Sequence, residues 1–337
     1  MAVPIPRGIE KTPLLLKLLA DGELHSGNWL AGELRQSRAA VWKAVERLRA
    51  LGIAVPAVAH QGYRLANAVE LLDARRIGAE LADQRRRRLR RLELLFEVDS
   101  TSTRLLAAAP PPPGSSDACL SEMQHAGRGR LGRRWIAPFG AGVSMSLSWT
   151  FSDAARALPA LSLGVGVAVS RALVRAGAEG IALKWPNDIW YRGRKVGGVL
   201  IELRAQAGGS AHAVIGVGVN VSLPAAARRQ IEASGADVAA VADACRLAPS
   251  RNLVAGAILD ELLSMLLQYE RGGFAAFRDA WLALDALHGR PALVVVGEKS
   301  TVGIARGVDL DGALLLETGD GMQRFFSGEA SLRLTQG

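Results

Sequence analysis

Apolar residues recur at helical spacing near the start of the chain. Leu14, Leu15, Leu18 and Leu19 line one side of a helix that Asp21-Gly22 ends. His25-Ser26-Gly27 opens a second short helix reaching Leu34, and Ser37 is placed to cap a third that runs toward Leu51. In that third helix Val41, Val45 and Leu48 form one apolar stripe, with Ala39, Lys43, Glu46 and Arg47 on the opposite face. Ile53 to Val58 and Tyr63 to Leu65 then read as two short strands, turned by His60-Gln61-Gly62. Residues 11–65 therefore predict a winged helix-turn-helix. Its third helix would offer Ser37, Arg38, Ala39, Trp42 and Lys43 to a major groove. A three-helix packing module that touches no DNA fits the same pattern.

Farther along the pattern changes. From Leu92 toward Ala286, apolar strand-like runs occur at Leu94 to Val98, Val143 to Trp149, Val196 to Glu202 and Ala213 to Val221. Helical stretches occur at Leu158 to Ala176 and Leu253 to Tyr269. Such mixing predicts an α+β domain on a largely antiparallel or mixed sheet. From Pro291 to Leu334, short strands alternate with Gly297, Asp309-Leu310-Asp311-Gly312 and Gly319-Asp320-Gly321, the pattern of a small β-barrel. Pro110 to Pro113 and the following Gly114-Ser115-Ser116 can only be loop. The expected segments are 1–66 for the winged helix, 67–92 for a connector, 93–286 for the central domain and 287–337 for the C-terminal one.

Composition adds bounds. A chain of 337 residues suits two or three domains. The net charge of +9 suggests nucleic acid or anionic ligands, although an arginine- and alanine-rich composition alone gives the same excess. Arg85 to Arg88 with Arg90 and Arg91 form a dense basic run, read as a solvated, self-repelling face. Cys119 and Cys245 are far apart and fit no metal spacing, which points to a reducing, cytoplasmic setting. Met1 to Glu10 lacks a secretory apolar core, and Leu14 to Leu19 is far too short for a membrane span.

The densest chemistry lies in Gly127-Arg128-Gly129-Arg130-Leu131-Gly132-Arg133-Arg134-Trp135. Glycine allows close backbone approach, and arginine supplies a charged fork shaped for carboxylate and phosphate oxygens. A loop with both is suited to a polyanion; a basic surface turn is the plainer alternative. The spacing is not that of a Walker A loop. Two more clusters follow: Lys184-Trp185-Pro186-Asn187-Asp188, and Lys195-Val196-Gly197-Gly198-Val199-Leu200-Ile201-Glu202.

In order and spacing, G-R-G-R-x-G-R-x-W, K-W-P-N-D and K-x-x-G-[IV]-L-[IV]-E resemble the signature of biotin protein ligases. The N-terminal segment resembles the DNA-binding module of the bifunctional members, which double as biotin operon repressors. The resemblance covers nearly the whole chain. It implies a catalytic domain of the biotin/lipoate ligase type and an SH3-like C-terminal barrel. It also implies activation of biotin by ATP and magnesium to biotinyl-5′-AMP, then transfer to a lysine of biotin carboxyl carrier protein.

Residue by residue, the resemblance assigns Arg128, Arg130 and Arg133 to the biotin carboxylate and phosphates, with Gly129 in the same loop. Lys195 would bridge carboxylate and α-phosphate, and Asp188 would serve magnesium or the incoming lysine. Ser100, Thr101, Ser102 and Gln124 would bond the ureido ring, with Gly198 shaping the biotin pocket. Trp135, Asn187, Gly216, Gly218, Asn220 and Arg333 would serve the adenylate, and Gly216 to Asn220 matches an adenosine-side turn. Segments Pro110 to Gly129 and Leu223 to Ser234 would be mobile until ligand binds. Operator DNA and a ligand-linked homodimer, joined through an exposed strand near Val199 to Leu203, are the implied partners, with no membrane. A ligase with an inactive DNA module and a lipoate–protein ligase are the alternatives.

Overall fold

The computed structural model describes residues 12–152, 160–205, 209–326 and 330–334; side chains of 205 and 330–334 lie outside that description. The chain divides after Leu71 into two compact units.

The first unit holds α1 (Thr12–Leu19), α2 (Gly27–Glu33), α3 (Arg38–Ala50), and a two-stranded ribbon of β1 (Ala57–Val58) and β2 (Gly62–Tyr63). Both later helices start at a serine with extended backbone. Ser26 Oγ accepts from Trp29 N, and Ser37 Oγ accepts from Ala40 N, which satisfies one orphan N–H at each helix start. Val41, Val45 and Leu48 are buried, as their stripe predicts, against Leu15, Leu16 and Leu19 of α1 and Leu30 of α2. Arg49 donates from Nε and Nη2 to the Val55 carbonyl at 2.9 and 2.6 Å, which ties the end of α3 to the start of the wing.

The second unit is built on a seven-stranded mixed sheet. Its strands are β3 (Leu89–Val98), β4 (Ser116–Gln124), β5 (Gly142–Phe151), β6 (Ile181–Lys184), β7 (Asp188–Tyr191), β8 (Arg194–Ala205) and β9 (Ala211–Asn220), in the order β3-β4-β5-β9-β8-β7-β6. Only β3 and β4 run parallel. The inner strand β5 alternates Val143, Met145, Leu147 and Trp149 with Ser144, Ser146 and Ser148, and all are buried. Its apolar side packs into one large core with α7 (Leu161–Arg175) and α9 (Arg251–Gly272). The serine side meets α6 (Thr101–Leu106) and carries the pocket described below.

The segment read as a connector and solvated basic run is bound to this unit. It contains α4 (Ala74–Ala79) and α5 (Asp83–Arg86), both packed on α9. Arg85 Nε and Nη2 donate to Asp260 of α9 at 2.5 and 2.8 Å, Ala82 N donates to the same carboxylate at 3.0 Å, and Arg175 of α7 donates at 2.9 Å. Asp260 is fully buried, and burial pushes its carboxyl up; those donors outweigh burial and hold it below its ordinary value. Arg85 is therefore a structural cation, whereas Arg86 to Arg88, Arg90 and Arg91 remain exposed. Within the segments expected to be mobile, Ser116–Gln124 is an inner strand, and residues 223–234 contain α8 (Ala225–Glu232).

After α10 (Arg278–Ala283) come β10 (Pro291–Val296), β11 (Lys299–Val308), β12 (Leu314–Thr318), β13 (Gly321–Phe325) and β14 (Ala330–Leu334). They form an antiparallel sheet in the order β13-β12-β11-β10-β14. Among the described residues β13 and β14 are its two edges, so the strands expected in a barrel are seen as an open sheet.

Candidate active site

Register, more than any single residue, makes the pocket floor. Ser144, Gly218, Gly198 and Asp188 stand side by side across β5, β9, β8 and β7, and Ser146, Gly216 and Leu200 form the next row. Bare glycines in both rows leave room above the sheet. At Gly216 an added Cβ would come within 2.8 Å of Ser102 Oγ, and at Gly218 within 2.4 Å of the Trp135 indole. At Gly198 it would come within 3.2 Å of Lys195 Nζ and Cε, so the lysine lies across this bare position. The stretch matched to a turn is thus strand through Asn220.

One end of the pocket is neutral and polar. Ser100 caps α6, and β3 and β4 end beside it with Gln124. Gln124 Oε1 accepts from Thr101 N at 2.9 Å and from Thr101 Oγ1 at 3.2 Å. Ser146 Oγ lies 2.7 Å from Thr101 Oγ1 and 2.9 Å from Ser102 Oγ. Ser146 was not singled out in the sequence, although a serine at every second position of an otherwise apolar strand signals a polar face. These hydroxyls are buried yet bonded to one another, which holds them aimed without leaving them orphaned.

The other end is cationic. Residues Gly127 to Trp135 fold into a hairpin, with Gly129 N donating to Arg133 O at 2.7 Å and Trp135 N to Gly127 O at 2.9 Å. Its tip, Leu131 and Gly132, takes the left-handed conformation at φ 55° and 71°, where glycine costs least. Trp135 lays its indole on Gly218, with Nε1 buried and without a hydrogen-bond partner among the described residues. Arg130 reaches inward, its Nη1 donating toward Asn187 Oδ1 at 3.5 Å. Burial lowers its guanidinium below the ordinary value; Asp188 pulls it back up, and Arg133 pushes it down again. Arginine keeps its proton regardless, so the cost is relieved by an arriving anion. Lys195 Nζ sits 2.6 Å from Asp188 Oδ1, and a bulge in the β7–β8 pairing between Ile189 and Trp190 sets the two facing.

The pocket therefore unites Ser100, Thr101, Ser102, Gln124, Arg128, Gly129, Arg130, Arg133, Trp135, Asn187, Asp188, Lys195, Gly198, Gly216 and Gly218. Met145, Ser146, Lys184, Trp185, Val199 and Leu200 also line it. Trp185 serves both core and pocket: it is buried, and its Nε1 donates to Gly312 O at 3.1 Å. Asn220 is not on the lining; its side-chain amide instead donates to Ala239 O at 3.2 Å. Arg333 pairs by backbone register with Leu293, and its side chain lies outside the described residues. Among the described residues no group of three or more potential metal ligands is present.

In the first unit, Ser37, Arg38, Ala39, Trp42 and Lys43 are all exposed on α3. Arg38, Ala39 and Trp42 share a surface concavity with Ser26, Gly27 and the wing residues Ala57 to Tyr63. Trp42 is 52% exposed.

Three family models match the chain: an HTH domain over residues 12–64, the biotin/lipoate A/B protein ligase family over 96–220, and the biotin protein ligase C-terminal domain over 288–333. The "Bifunctional ligase/repressor BirA" of Salmonella typhimurium and that of Escherichia coli K12 are each 36% identical over 95% of this chain and 96% of their own length. A biotin protein ligase from Aquifex aeolicus, solved in complex with biotin and ATP, superposes with a TM-score of 0.61 at 27% identity, covering 73% of this chain and all of that one. No described helix is long and apolar enough to cross a membrane. With end-to-end likeness to two such proteins and the three motifs gathered on one pocket, the chain belongs to the biotin protein ligase family, among its bifunctional ligase/repressor members.

Proposed function

We propose that this chain activates biotin with ATP to biotinyl-5′-AMP, transfers biotin to a lysine of biotin carboxyl carrier protein, and represses the biotin operon when the adenylate is held. The observation that carries the reading is one pocket with two unlike ends. A neutral ring that both donates and accepts hydrogen bonds suits the hydroxyl and amide end. A carboxylate meeting a triphosphate suits the cationic end.

In the first step a biotin carboxylate oxygen bonds to the α-phosphorus, the bond to the bridging oxygen breaks, and pyrophosphate leaves. Lys195, Arg130 and Arg133 stabilise the charge gathered on the α-phosphate. Lys195 is held by Asp188 until the ligand carboxylate arrives. In the second step the acceptor amine bonds to the acyl carbon, AMP leaves, and Asp188 is placed to receive the proton. Asp188 also fits magnesium as a single carboxylate ligand beside nucleotide phosphates and water, which suits an ion that enters with ATP. The ion would neutralise phosphate charge. Ser100, Thr101, Ser102, Gln124 and Ser146 bind the ureido ring, while Trp135, Asn187, Gly216 and Gly218 border the nucleotide. Asn220 acts through the Ala239 loop, and Arg333 comes from the C-terminal strands, which we assign to an SH3-like barrel.

The regulatory half rests on α3 and the wing. One winged helix reads few bases, so tight binding calls for two copies on a two-fold operator. Beyond Val199, β8 pairs among the described residues on one side, with β9, and that outer half is the edge through which two chains would pair. The setting is the cytoplasm, where ATP and the acceptor are found. Pyrophosphate release tests the enzyme reading: it should require biotin, and release with lipoate but not biotin would overturn it.

A further inference from the structure

Glu202 closes the motif that begins at Lys195, yet nothing above uses it. Arg128 donates two hydrogen bonds to its carboxylate, Nη1 to Oε1 at 2.9 Å and Nη2 to Oε2 at 2.6 Å. A bidentate fork fixes orientation as well as distance. On β8, Gly198 and Leu200 line the pocket, and Glu202 follows on the same face, about 13 Å from Gly198 at strand rise. Arg128 borders the pocket, and its guanidinium is committed to Glu202, farther along β8. Arg130, two residues later, reaches inward to Asn187.

The geometry points to Glu202 and Arg128 as a positioning pair: an ion pair that fixes the glycine-rich hairpin to the sheet so that Arg130 and Arg133 stand over the pocket. The hairpin needs such a fixture. It has glycines at 127, 129 and 132, an exposed tip at Leu131, and little packing of its own. Its second leg is fixed by Trp135 resting on Gly218; its first leg is fixed by Arg128 on Glu202. Charge supports the same role. An unpaired carboxylate beside an anion site would repel incoming phosphates, and Arg128 neutralises it. Glu202 is the less exposed partner, at 25% against 40% for Arg128, as suits the fixed post of the pair.

The inference rests on the proposed anion-binding role of the hairpin, and its test has a readout independent of activity. Amide exchange at Gly129 and Trp135 is measured in the ligand-free protein, and KM and kcat for biotin and ATP by pyrophosphate release. The variants are Glu202→Gln, Arg128→Glu and the charge swap Arg128→Glu/Glu202→Arg, each checked for an unchanged melting transition. Glu202→Gln should speed exchange at both amides and raise both KM values roughly fivefold, the most an exposed pair contributes, with kcat nearly unchanged. Arg128→Glu should be worse, and the swap should restore exchange and KM to within about twofold of wild type, since the pair is remade with opposite polarity. A swap as impaired as Arg128→Glu would make Arg128 a ligand contact and overturn the proposal. Unchanged exchange and KM in Glu202→Gln would overturn it too. If wild type shows no biotin-dependent pyrophosphate release, the biotin reading fails, and the exchange data still decide whether the pair anchors the loop.

Discussion

Replacing Lys195 by alanine removes the cation that faces the reacting carboxylate and α-phosphate. Its ammonium is 2.6 Å from Asp188 and lies over the bare Gly198. Removing one preorganised donor of this kind costs on the order of a hundred- to a thousandfold in rate. A second effect adds to it. With Lys195 gone, Asp188 is left unpaired next to the developing negative charge. At a separation of about 5 Å and an effective dielectric of ~20, two unit charges repel by about 3 kcal/mol, roughly another hundredfold before solvent relaxes it. Lys195→Ala should therefore slow single-turnover pyrophosphate release by at least about a thousandfold. Lys195→Ala/Asp188→Asn should recover part of that loss. The side chain is 33% exposed and outside the core, so the melting transition should not move. An unchanged rate in the single mutant would remove Lys195 from the chemistry. A double mutant slower than the single one would show that Asp188 does more than hold the lysine, as a magnesium ligand or proton acceptor would.

Other outcomes follow from particular contacts. Gly218→Val places carbon atoms where the Trp135 indole now rests; overpacking of about 1–3 kcal/mol should open the hairpin and raise the KM for ATP on the order of tenfold, and an unchanged KM would mean the indole is not needed there. Asp260→Ala strips Arg85, Arg175 and the Ala82 N–H of their shared acceptor; breaking a fully buried pair costs about 3–5 kcal/mol, but both arginines can rehydrate, so about 2 kcal/mol is expected in urea denaturation. Because the folded carboxyl titrates below its ordinary 3.8, that contribution is present above pH 3.8 and is lost as pH falls through the lower folded value; equal acid sensitivity in wild type and Asp260→Ala would refute it. Arg38→Ala and Lys43→Ala should weaken operator binding and lower the salt slope by about one per lost phosphate contact per subunit, with biotin transfer intact; an unaltered mobility shift would take α3 off the DNA.

Much of this architecture was legible where one physical signal dominated. The α3 stripe of Val41, Val45 and Leu48 and the serines before α2 and α3 gave the winged helix, because caps and helical spacing are local properties. The three motifs located the site, because their glycines and cations have few structural uses at that density. Longer-range effects were hidden. β4 reads Ser-Asp-Ala-Cys-Leu-Ser, too polar to suggest an inner strand, yet Asp117 and Ser121 pair in register with Ser148 and Ser144 of the buried serine face of β5. The apolar run from Ala213 to Val221 reads as strand and is one, whereas the resemblance matched Gly216 to Asn220 to a turn; the glycines are there because Ser102 and Trp135 occupy the space above them. The arginines of 85–91 look uniformly solvated until Asp260, far away in sequence, is seen to claim the first of them. Glu202 closes a recognisable motif, but the motif does not name its partner, because Arg128 lies in a separate loop far away in sequence.

The central claim is that the pocket joins biotin to ATP for transfer to a protein lysine. It is tested most directly by mass spectrometry of a purified biotin carboxyl carrier domain after incubation with this protein, ATP, magnesium and biotin. The carrier should gain the mass of one biotin per domain on a single lysine, with no gain without ATP or with Lys195→Ala. An unmodified carrier, or one that accepts lipoate and refuses biotin, would contradict it.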